Sequence, residues 1–156
     1  PYASSKYAGE DLCRMYSTLY GLHTTILRYF NVYGDRQHTT GQYAPVLGIF
    51  MKQSKEGLPL TVTGEGEQRR DFVHVSDVVD ANILVAEKNT TPSRVYNVGS
   101  GVSYSIKEIA NMISENITYI NERSGEVFAT QAMIHQIGEL GWEPQVYLQD
   151  WIKDLS

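Results

Sequence analysis

Residues Thr24–Gly34 read TTILRYFNVYG. Of the first seven, Thr24–Phe30, all but Arg28 are β-branched, apolar or aromatic, which predicts a buried strand. Upstream, Ala8, Leu12, Met15, Tyr16 and Leu19 recur at a helical period, which predicts a helix over 3–20. Gly21 is placed to cap it. A helix feeding straight into an apolar strand is half of an α/β unit. Beyond the strand, residues 31–42 are polar and turn-rich and predict a loop. That loop leaves a carboxyl strand end, where open α/β sheets bind ligands.

Further along, helical spacing resumes over 43–55, and a short strand is expected at Leu60–Thr63. Strands are also expected in RDFVHV, SRVYNVGSG and ITYIN. Ser76 or Asp77 is placed to cap a helix running to Glu87. Ser105, with Glu108 three residues on, forms a capping-box pattern for a helix over 106–114. A helix is expected over 130–140, closed by Gly141, and another over 148–155. The short, irregularly spaced strands after residue 60 point to a small α+β unit on the edge of an α/β sheet.

Composition narrows the function. At 156 residues, 42% hydrophobic and 20% charged, the chain suits one globular domain with a real core. A net charge of −5 argues against wholesale binding to nucleic acid or an anionic membrane, but leaves room for a local basic site. The single cysteine, Cys13, excludes a disulfide framework and a cysteine-based zinc site; no metal is expected. A reducing, cytoplasmic setting is the default. No apolar run reaches the length of a membrane span, no signal peptide is read, and the sequons at Asn89 and Asn116 are taken as chance matches.

Four stretches carry chemistry. In YASSK, Tyr2 and Lys6 stand four apart on one helix face, where an ammonium favours a phenolate and so lowers the tyrosine pKa. Such a tyrosine is a general acid or base, although alone the pair is an ordinary helix face. RYFNVYG places polar groups at a strand end; the plainer reading is a turn built on Asn31 and Gly34. GEGEQRRDFVHVSDVV (Gly64–Val79) offers an arginine for an anionic group, or else an Arg–Asp structural pair. Gly64 and Gly66 form no dinucleotide fingerprint, because the third glycine and the strand–helix context are missing. ERSGEV sets Arg123 and Glu126 around a turn.

In this order, from Pro1 to about Trp142, these stretches resemble the NAD-dependent epimerase/dehydratase family of extended short-chain dehydrogenase/reductases, and within it UDP-glucose 4-epimerase-like members. LGWEP resembles a common C-terminal run of that family. The resemblance implies the C-terminal part of a Rossmann-like doubly wound sheet plus a small α+β substrate domain. Residues 1–41 would be the tail of the NAD-binding unit and 42–156 the nucleotide-sugar region, with 71–100 returning to the sheet. Tyr2 would be the acid/base and Lys6 would tune it and bind the nicotinamide ribose. Tyr29 and Phe30 would lie beside the nicotinamide. Asn31, Arg70 and Arg123 would bind the diphosphate, Gln42 and Tyr43 would line the pocket, Leu60, Thr61 and Val62 would flank the base, and Glu126 would hold the ribose. The implied cofactor is NAD, the substrate a UDP-sugar, and the assembly a homodimer.

The sequence departs from the family pattern in several places. No G-x-x-G-x-x-G and no Ser or Thr of the catalytic triad precede Tyr2, which leads us to expect a fragment of a longer protein, inactive and binding NAD poorly by itself. Ser114–Arg123 looks shortened, and Ser124 replaces the usual proline. On the same fold, 4,6-dehydration, decarboxylation and keto reduction are alternatives, as is a nucleotide-sugar-binding module without redox chemistry.

Overall fold

The computed structural model describes residues 1–41, 44–88, 90–122, 125 and 127–155. Helix α1 (Tyr2–Tyr20) stops at Gly21, which is left-handed at φ 67° and returns its N–H to the Ser17 carbonyl at 3.1 Å. A residue without Cβ adopts that conformation freely, so the expected cap is present. The chain then enters β1 (Thr25–Tyr29), which runs parallel to β5 (Arg94–Val98) in register Thr25↔Arg94 to Tyr29↔Val98. Only Ile26 of β1 is buried, so the expected buried strand is half open: among the described residues it has one strand neighbour.

The predicted 31–42 loop is a strand at its start. β2 (Asn31–Tyr33) pairs in parallel with β4 (Arg69–His74), with Asn31 opposite Phe72. Three residues give no readable alternation, and the partner is about forty positions away, so turn signals from Asn31 and Gly34 dominated. β6 (Ser103–Ser105), unread in the sequence for the same reason, pairs antiparallel with the other edge of β4. β3 (Leu60–Thr63) runs parallel to β7 (Ile117–Ile120).

Four helices complete the described fold beside α1 and a single turn. α2 (Val46–Lys55) begins after Pro45, later than the expected 43. α3 (Val75–Glu87) is capped by His74, not by Ser76 or Asp77: the His74 ring accepts from the Ser76 N–H at 3.3 Å. α4 (Ile106–Ile113) has the full capping box, with Ser105 N–H donating to Glu108 at 2.6 Å and Glu108 N–H donating to Ser105 Oγ at 3.1 Å. The helix expected over 130–140 is the one turn α5 (His135–Gly138). Residues before it are tied elsewhere: Ala132 N–H donates to the Asp71 carboxylate and Asn97 Nδ2 to the Met133 carbonyl. α6 (Leu148–Asp154) closes the chain.

β4 divides the interior. Phe72 enters one core with Tyr33, Phe50, Leu60, Val62 and Ile109, while Val73 enters a second with Val78, Tyr96, Val98, Ile137 and Trp142. Successive side chains on a strand point to opposite faces, so one strand serves two cores. Helix α1 buries only Glu10, and its Leu12, Tyr16 and Leu19 are exposed.

Candidate functional site

The first three residues of β4, Arg69, Arg70 and Asp71, carry both signs of charge. Arg69 is engaged in structure: its Nη2 lies 3.1 Å from Glu108 Oε2 and donates to the Ser103 carbonyl. Arg70, the next residue, turns the other way. Its Nη1 donates to the Arg69 carbonyl at 2.8 Å and the Phe128 carbonyl at 3.4 Å, and among the described residues no carboxylate pairs with it. Asp71 is fully buried and pairs with neither arginine. It accepts from Ser100 N–H (2.7 Å), Ser100 Oγ (2.9 Å), Gly101 N–H (3.0 Å) and Ala132 N–H (2.9 Å). The plainer Arg–Asp pair is therefore not what this stretch builds. Asp77 is likewise structural: it accepts from the Gln145 and Val146 amides, and Trp142 Nε1 donates to its carbonyl.

Arg70 opens on a cavity of about 240 Å³ that also takes in Asn31, Thr61, Thr63, Gln68 and Phe50. Asn31 is fixed there because its Nδ2 donates to the Asp71 carbonyl at 2.7 Å. The pairing of β2 with β4 is what brings residues 31 and 70 to one place. Of the three residues expected beside a base, only Thr61 reaches the cavity. Leu60 and Val62 are buried in the first core, as the strand alternation demands, so their side chains cannot flank a ligand there.

The free edge of β3 is chemically specific. Leu60 N–H bonds Asn116 and Gly64 N–H bonds Ile120, so the even-numbered residues face β7 and Thr61 and Thr63 face outward. Thr61 N–H donates to Gln53 Oε1 at 3.1 Å, and Gln53 Nε2 donates to Thr61 Oγ1 at 2.9 Å. The Thr63 carbonyl accepts from Gln68 Nε2 at 3.1 Å and from Gly66 N–H at 3.2 Å. One acceptor, the Thr61 carbonyl, and one donor, the Thr63 N–H, have no partner among the described residues. Gln53, Thr63 and Gln68 escaped sequence reasoning. Each is a common surface residue, and only the strand register gives it a place.

The proton-transfer candidates stand apart from this cavity. Lys6 Nζ sits 5.3 Å from the centroid of the Tyr2 ring, and Tyr2 is 76% exposed in the first turn of α1. Neither lines the Arg70 cavity. Tyr29, at the carboxyl end of β1, donates its hydroxyl to Asn82 Oδ1 at 2.9 Å, and Phe30 N–H continues the pairing to the Val98 carbonyl at 2.9 Å. Gln42, Tyr43, Arg123 and Glu126 lie outside the described residues. Among the described residues no cluster of three metal-ligating side chains occurs.

The family model for the NAD dependent epimerase/dehydratase family matches residues 1–99. This chain belongs to that family. The resemblance carried by YASSK, RYFNVYG and GEGEQRRDFVHVSDVV is thus borne out. A putative UDP-glucose 4-epimerase of Methanocaldococcus jannaschii is 38% identical across 98% of this chain. The UDP-glucose 4-epimerase of Thermotoga maritima, solved with UDP-glucose, superposes with a TM-score of 0.92 at 35% identity over 98% of this chain. That of Thermus thermophilus, solved in complex with NAD, gives 0.88 at 32% over 98%. The chain spans about half the length of these relatives, 51% of each. Its parallel α/β architecture is theirs, and NAD dependence is a property of the family.

Proposed function

We propose that the natural protein is an NAD-dependent nucleotide-sugar 4-epimerase acting on a UDP-hexose, and that this chain supplies its proton-transfer pair and part of its substrate site. The observation that carries this reading is the meeting on one cavity of Asn31, Thr61 and an Arg70 that no carboxylate pairs with among the described residues. A guanidinium with open donors suits a diphosphate, and Asn31 adds a neutral polar group beside it. The Thr61 carbonyl and Thr63 N–H match the donor–acceptor edge of an imide such as uracil. Similarity to epimerases named for UDP-glucose points the same way. Arg123 and Glu126 complete the proposal as diphosphate and ribose ligands, and Gln42 and Tyr43 as pocket walls. Residues 1–41 and the returning 71–100 would belong to the NAD-binding unit, and a homodimer would cover the exposed face of α1.

The residues present fit NAD. Tyr2 and Lys6 share one exposed helix face, and the ammonium can donate to ribose hydroxyls. Tyr29 and Phe30 give aromatic surface at a strand's carboxyl end, with the Tyr29 ring held by Asn82. When bound, NAD supplies a hydride acceptor and donor. Tyr2 would take the proton from the sugar 4-hydroxyl and return it after the keto sugar turns over in the site. Lys6, one turn further along the same face, would hold the cofactor ribose beside this step. Arg70 and Asn31 would hold the nucleotide while the sugar turns.

The test is interconversion of UDP-glucose and UDP-galactose by the natural full-length protein with NAD. Tyr2→Phe is expected to lower turnover by roughly 10²- to 10⁴-fold while UDP binding stays unchanged. UDP binding without any turnover in the wild-type protein would instead identify a non-catalytic binding module.

A further inference from the structure

Phe128 is an exposed aromatic ring on an anchored backbone. It is 69% exposed, yet its carbonyl accepts from the Arg69 N–H at 2.7 Å and from Arg70 Nη1 at 3.4 Å. The next residue, Ala129, forms a β-bridge with Arg69, so the segment rides along β4. The ring borders a second cavity of about 270 Å³. Thr63 and Gln68 border both this cavity and that of Arg70, so the two adjoin.

Charge tells the two apart. The second cavity is lined by the carboxylates of Glu65, Glu67 and Glu122, whereas Arg70 is the cation of the first. A diphosphate is repelled by the former and drawn to the latter. An uncharged base is not repelled. A base whose edge met the Thr61 carbonyl and Thr63 N–H would lie where the two cavities adjoin, with a face turned toward the second. Phe128, an exposed ring lining the same cavity as Thr63, is suited to cover that face.

We propose that Phe128 is a stacking platform for the nucleobase, a binding residue for the nucleotide end of the substrate. The inference rests on the nucleotide-sugar reading above. Stacking recognises any base by its π-face, so Phe128 supplies affinity, while the β3 edge reads the imide. The bonds that Arg69 N–H and Arg70 Nη1 donate to Phe128 use its backbone carbonyl, so changing the side chain removes none of the bonding groups.

Titration calorimetry on the natural full-length protein with UMP, and separately with inorganic pyrophosphate, tests it. Phe128→Ala is expected to weaken UMP binding roughly 5- to 100-fold and to leave pyrophosphate binding unchanged. Phe128→Trp restores UMP binding, and Phe128→Leu, apolar but without a ring, does so only in part. Equal UMP affinity in wild type and Phe128→Ala overturns the proposal. So does an equal loss of UMP and pyrophosphate, which would mean a structural effect through Arg70. Failure of the wild-type protein to bind UMP overturns the nucleotide-sugar reading itself, and Phe128 with it.

Discussion

Arg28 holds Glu10 with two parallel hydrogen bonds, Nε to Oε1 at 2.6 Å and Nη2 to Oε2 at 2.8 Å. This fork joins β1 to α1 at the helix's one buried residue, and Arg14 adds a third donor at 3.2 Å. A bidentate guanidinium–carboxylate pair fixes geometry as well as energy.

The Arg28 hydrogen bonds hold the Glu10 carboxyl below its ordinary value of 4.5, against an opposing effect of burial. A depressed folded pKa contributes stability that is present above the unfolded value and is lost as pH falls through the folded one. Glu10→Gln should therefore cost on the order of 1 kcal/mol at neutral pH, since Arg28 is half exposed. Thermal midpoints of variant and wild type should converge below about pH 4.5 and stay separated above it. A gap that does not change with pH would refute the assignment.

Asp71 organises the turn after β5 through its four donors. Asp71→Ala leaves three of those donors, the Ser100, Gly101 and Ala132 amides, without their acceptor and should destabilise by about 3 kcal/mol or more. Gly99 is its structural companion: a Cβ there would lie 2.4 Å from the Ala132 Cβ and 3.1 Å from both Asp71 oxygens. Gly99→Ala should cost roughly 1–3 kcal/mol by overpacking. Denaturant midpoints of the two variants check this, and wild-type stability in Asp71→Ala would show that the four bonds are not formed in solution.

Arg69 and Arg70 should separate cleanly. Arg70→Met is expected to weaken UDP binding roughly tenfold or more, with at most about 1 kcal/mol of stability lost, because its protein bonds reach one half-buried and one exposed carbonyl while its remaining donors are left for ligand. Arg69→Met loses the exposed Glu108 pair and the Ser103 bond, and should cost about 1 kcal/mol of stability while UDP affinity holds. Calorimetry and thermal melts on both variants decide it; equal binding losses would remove the distinction.

The residues that carry the family resemblance were legible because their chemistry is carried by residue type. Tyr2 with Lys6, Asn31 and Arg70 are uncommon in that order, and the family match bears out the resemblance they carry. The side chains of Leu60 and Val62 were misplaced because a strand side chain's direction depends on which face finds the core. Gln53 and Gln68 stayed invisible because their partners, Thr61 and Thr63, matter only as a strand edge.

What the sequence determined by itself is local. The Ser105–Glu108 capping box and the Gly21 stop involve groups within four residues of each other, so backbone geometry alone brings them together. Tertiary structure decided the rest: that Arg70 and not Arg69 faces a cavity, that Asp71 binds amides from the Gly99–Gly101 turn and Ala132, and that Asn31 stands beside Phe72. Each of these joins residues some thirty to sixty positions apart. Such contacts form only when the strands, parallel β2–β4 and antiparallel β4–β6, settle into register, and register is set by which side chains the two cores can bury.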